Sequence, residues 1–156
     1  MPVRTAKAVL DAYWDRKLPV DPTQIARAMG AEVYQDHDMV FCGISGSFEI
    51  EGSKPVIRYS SSDANVRQRF TVAHELGHMC LQHGNSFRDT AGNYSSNTNL
   101  YKERDANTFA AELLMPREVI EWLIFKERNH DVESMARVLN VSSAAMHYRL
   151  KNLGYL

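Results

Sequence analysis

Apolar residues recur at helical spacing in six stretches of this 156-residue chain. Ala8, Val9, Ala12 and Tyr13 form one side of a helix over Ala6–Lys17, which breaks before Pro19. A second helix starts at Asp21 or Thr23 and runs through Met29, with Gly30 as its stop. Val72, Ala73, Leu76, Met79, Cys80 and Leu81 give a third, near 66–83. Ala106, Phe109, Ala110, Leu113 and Leu114 give a fourth, near 101–115, ended by Pro116. Val132–Leu139 is a short amphipathic fifth. Asn140 then turns the chain, Ser142 caps the sixth, and that helix runs to about Asn152 before Gly154.

Between the second and third helices the pattern changes. Glu32–Tyr34 and Val56–Tyr59 read as strands, and Met39–Ile50 carries Phe41, Ile44, Phe48 and Ile50 with glycines between them. Gly52 and Ser53, with Lys54 and Pro55, make a hairpin turn. The expected fold is α+β: mostly helical, with a small three-stranded antiparallel sheet and a C-terminal helix pair resembling a helix-turn-helix. One of the strands is expected to be an exposed edge that takes an extended peptide. From Asn85 to Asn99 the chain is rich in Ser, Asn, Thr and Gly without period, and is expected to form a mobile loop acting as a lid.

The third helix carries chemistry. His74, Glu75 and His78 form H-E-x-x-H. Residues four apart lie one turn apart on the same helix face, so both imidazoles can bind one ion. Glu75 is displaced by one residue step and can reach a water instead. That is the arrangement a zinc hydrolase needs. Gly77 makes sense if another element passes close to the helix beside the metal.

A catalytic zinc takes three protein ligands. The fourth helix offers Glu103, with Asn107 four residues on and able to steady a ligand histidine. Asp105 and Glu112 compete with Glu103 for the ligand role, and spacing alone leaves the choice open. His83 and Gly84 are expected to mark the helix end, with His83 interacting with the helix dipole. Tyr94 and Tyr101 are candidates for hydrogen bonding to an oxyanion. Arg67 and Arg69 can pair with Asp63 or with a carboxylate near the site, or remain solvated charges.

Composition narrows the partners. The net charge is −1, so no global basic field favours nucleic acid. From Asp131 to Leu156 there are three basic residues (Arg137, Arg149, Lys151) against two acidic ones. That is thin for phosphate binding, and packing or partner docking is the favoured role of the helix pair over DNA reading. There is no membrane-length apolar run and no signal-peptide core near Met1, so a cytoplasmic location is expected. The two cysteines, Cys42 and Cys80, are not expected to pair there, and Cys80 is expected to be buried core.

The segments Arg67–His78 and Glu103–Pro116 together closely resemble the ImmA/IrrE metallopeptidase family, also called DUF955 or M78. Pro19–Gly30 and Val141–Gly154 are similar to that family's terminal helices. The resemblance implies a gluzincin-like zinc peptidase over residues 1–128, with a C-terminal helix pair over 129–156 packed on it. It maps His74, His78 and Glu103 onto the zinc ligands and Glu75 onto the general base. Asn107 stands where gluzincins often place an Asp. The implied substrate is a protein, a helix-turn-helix repressor whose cleavage derepresses prophage, mobile-element or stress genes. The competing reading is a non-proteolytic regulator or toxin of a toxin–antitoxin pair, with a structural zinc.

Overall fold

The computed structural model describes residues 3–89 and 97–156. Helix α1 (Ala6–Tyr13) starts at Thr5, whose hydroxyl accepts from the Ala8 N–H. It ends four residues earlier than the sequence pattern predicts, because the backbone of Trp14 is already extended, with φ −77° and ψ 132°. Helix α2 (Pro22–Ala28) is capped by Asp21, which accepts from the N–H groups of Thr23 and Gln24. Pro22 occupies its first turn, where no backbone donor is needed.

The α+β class holds, and the sheet differs from expectation in two ways. Among the described residues it has four strands in the order β1-β3-β2-β4, and it is mixed. Strand β1 (Glu32–Asp36) runs parallel to β3 (Lys54–Ser60), while β2 (Ile44–Glu51) pairs antiparallel with β3 through the predicted hairpin. A 3-10 turn at Met39–Cys42 lets the chain leave β1 and return two places across the sheet. Alternation tells which face of a strand is buried, not which neighbour it takes. The fourth strand, β4 (Ser86–Asp89), comes from the stretch expected to be loop. It forms one sheet edge beside β2, and β1 forms the other. Four residues are too few to display a period. At the far end of the expected lid, Asn97, Thr98 and Asn99 begin the next helix instead, and residues 90–96, including Tyr94, lie outside the described residues.

Helix α3 (Asn65–Cys80) lies between the sheet and helix α4 (Asn97–Leu114), packing on β2 and β3 and on α4. Every residue from Thr71 to Cys80 is buried. A small residue lets β2 come close: Gly46 is buried and faces α3 at Thr71 and Glu75. A methyl added at Gly46 would overlap Thr71 Cγ2 and sit 3.2 Å from the Arg58 carbonyl oxygen. Gly46→Ala is therefore expected to destabilise the fold by about 1–3 kcal/mol in urea unfolding of the metal-free protein. An unchanged midpoint would mean that β2 moves off α3 at no cost.

Helix α5 (Arg117–Phe125) buries Val119, Ile120, Leu123 and Ile124. The C-terminal pair is α6 (Val132–Leu139) and α7 (Ser143–Leu153). Its predicted punctuation is present, Ser142 capping α7 and Asn140 making the turn in the left-handed region, and Asp131 caps α6 as well. Met135, Leu139, Met146 and Leu150 belong to the same buried cluster as Leu76 and Leu113. Two arginines tie the pair down. Arg69 of α3 donates to the carbonyls of Leu139 and Asn140 and to that of Val20. Arg149 of α7 donates to the carbonyl of Met115. Desolvation pulls the pKa of each guanidinium below its ordinary value, against the opposing charge of Asp21 for Arg69 and of Glu112 for Arg149. Among the described residues, no helix is long and apolar enough to cross a membrane.

Candidate metal centre

Helices α3 and α4 cross where α3 carries Gly77. A Cβ there would stand 3.2 Å from three atoms of Phe109, so the glycine is what allows α4 to approach. The approach brings Glu103 of α4 onto the two histidines of α3. Glu103 Oε2 lies 2.8 Å from His74 Nε2, and Oε1 lies 2.9 Å from His78 Nε2. The two Nε2 atoms are 3.1 Å apart. His74 and His78 are each 1% exposed, so the three groups converge inside the protein. Burial would raise the pKa of Glu103, but the hydrogen bonds and charge of the two imidazoles outweigh it and hold the carboxyl at about 2.

His74, His78 and Glu103 form a group whose ligand atoms all lie within 4.8 Å of one another. Two imidazole nitrogens and a carboxylate are a donor set of the kind that holds a catalytic divalent zinc. The reverse sides of the rings fit the same purpose. A ligating imidazole donates its other N–H to an acceptor. His74 Nδ1 lies 2.8 Å from Asn107 Oδ1, where spacing on the fourth helix expects it. Asp105 and Glu112 are not part of the converging group.

Glu75 is fully buried one step around the helix and accepts a hydrogen bond from Ser86 Oγ of β4. Ser86 is a contact that sequence reasoning missed, because it belongs to the stretch read as loop. His83 is a second. It packs its ring on His78 rather than capping the helix dipole alone. Its position five residues after His78 falls on no helical face. Tyr101 is largely exposed, at 64%. Arg67 reaches Asp63 at 3.3 Å and Ser45 Oγ at 3.0 Å, one of the expected pairings. Arg69, in contrast, is half-buried on backbone carbonyls and not a solvated charge. Cys80 is buried, Cys42 is exposed, and both are free; burial pushes the Cys80 thiol up to about 12.

Beside Asn107 a cavity of about 730 Å³ opens between α4 and α7. Phe70, Leu100, Tyr148 and Leu153 line it together with Arg104 and Arg149.

The fold and this three-residue group define a metallopeptidase-like domain. Residues 25–151 match the family model Peptidase_M78, described as the IrrE N-terminal-like domain, and the chain belongs to that family. No curated protein matches the chain. A solved structure described as a Mycobacterium tuberculosis transcriptional regulator is similar in fold, with a TM-score of 0.64 and 18% sequence identity. The match covers 94% of this chain and 44% of that one, so this chain spans less than half the length of that regulator.

Proposed function

We propose that this chain is a zinc-dependent endopeptidase acting on a cytoplasmic protein, with a helix-turn-helix repressor as the substrate class. The observation that carries the reading is the convergence of His74, His78 and Glu103, with the Glu75 carboxylate buried one residue step away. His74, His78 and Glu103 would hold the ion. Zinc bound there supplies a Lewis acid that polarises the scissile carbonyl and makes the attacking water more acidic. Glu75 takes a proton from that water on its carboxylate and passes it to the leaving amine nitrogen. Asn107 holds the His74 ring in place through its Nδ1.

Strand β4 is the sheet edge nearest Glu75, and its outer side suits a substrate laid down as a further extended strand. The cavity beside Asn107 suits apolar substrate side chains, with Phe70, Leu100, Tyr148 and Leu153 in its lining. A structural zinc in a non-proteolytic regulator calls for a fourth protein ligand. The converging group among the described residues has three members, which favours the peptidase.

The test is to load the purified protein with zinc and measure bound metal. It is then incubated with helix-turn-helix repressors, beginning with those encoded near its gene. One zinc per chain and cleavage abolished by a chelator are the expected results. Stoichiometric zinc with intact repressors would favour the regulator.

A further inference from the structure

Helix α3 ends in a hook. Gln82 takes a φ of 59° and Gly84 one of 81°, which turns the chain back under the last helical turn. The His83 N–H donates to the His78 carbonyl at 3.0 Å. Lys102, the residue before Glu103, donates from Nζ to the His83 carbonyl at 3.2 Å. The hook is thus fixed from both metal helices. It brings His83 Nδ1 to 3.0 Å from His78 Nδ1, with the rings edge-on at 64°.

We propose that His83 is a positioning residue for His78, its Nδ1 accepting the His78 Nδ1–H so that His78 Nε2 is aimed at the metal. The inference rests on the metal-centre reading above. An imidazole that gives Nε2 to an ion carries its proton on Nδ1 and needs an acceptor for it. His74 has Asn107 Oδ1 for this purpose. For His78 the group at the corresponding distance is His83. To accept, His83 carries its own proton on Nε2. The contact falls on the ring edge of His78 opposite Nε2, which faces Glu103 and His74. His83 therefore steadies a ligand and does not act as a fourth one.

The chemistry of the contact provides its own control. In histidine Nδ1 is bonded to Cγ, and in asparagine Oδ1 is bonded to Cγ, so His83→Asn keeps an acceptor at nearly the same point. His83→Ala removes it, and His83→Phe fills the space without it. We would measure the zinc dissociation constant of the whole chain and each variant by chelator competition. Unfolding of the metal-free forms would identify which variants fold. His83→Ala and His83→Phe are expected to bind zinc about 10–100-fold more weakly, and His83→Asn close to wild type. Should the alanine variant not fold, the comparison of Phe with Asn carries the test. Wild-type affinity in the Ala and Phe variants, or an Asn variant as weak as Phe, overturns the inference. A wild-type chain that binds no zinc overturns the metal-centre reading itself, and is a different result from a zinc-binding chain indifferent to His83.

Discussion

Replacing Glu75 by Gln is expected to leave zinc binding intact and to lower peptide-bond cleavage by about 10²–10⁴-fold, the usual contribution of a positioned general base. The substitution changes one atom and no volume, so the fully buried site keeps its packing. Glutamine also retains a carbonyl oxygen that can accept from Ser86 Oγ. What it loses is the capacity to take a proton. Glu75 lies outside the converging ligand group, so the ion should remain. Bound metal by mass spectrometry and single-turnover cleavage by gel, run on the same preparations, separate the two effects. Loss of zinc in this variant would make Glu75 a ligand. An unchanged rate would assign the base to another residue.

Glu103→Ala should act on the metal itself. Its carboxylate is the member of the group that α4 contributes, bridging both imidazoles at 2.8 and 2.9 Å. Losing an outer hydrogen-bond partner costs about 10–100-fold in metal affinity, and losing a ligand should exceed the upper end of that range. Zinc that binds only the folded chain raises its stability, by about 4 kcal/mol at a thousandfold excess over the dissociation constant. Wild type should therefore melt at a higher temperature in zinc than in chelator, and Glu103→Ala should melt alike in both. Asp105→Ala and Glu112→Ala should keep the zinc-dependent shift. A shift lost in either of those variants and kept in Glu103→Ala would move the third ligand.

The metal helix was legible because its chemistry and its packing share one short period. His74 and His78 are four apart, and the residues around them are apolar, so face and function were read together. Glu103 needed more than spacing. Asp105 and Glu112 are carboxylates on the same helix that spacing alone does not exclude, and resemblance to a family in which the whole segment recurs favours Glu103. Gly77 predicted a close neighbour without saying which, and the neighbour is Phe109. The helix pair was legible in its turn and its second cap, since Asn140 and Ser142 each have a local conformational or hydrogen-bonding reason to stand there. Contacts set by the path of the chain were not legible. The parallel partner of β1 depends on a crossing through Met39–Cys42. Ser86 and His83 reach the site through a short strand and a hook, and neither carries a repeat for the eye to follow.

Arg69 ties helix α3 to parts of the chain far from it in sequence. Its guanidinium leaves water to meet three carbonyls, one at Val20 and two at Leu139 and Asn140. Two of those acceptors stand some seventy residues further along the chain than Arg69 itself. A chain cut before Leu139 would leave the half-buried guanidinium short of both, so the turn between α6 and α7 is part of what seats α3.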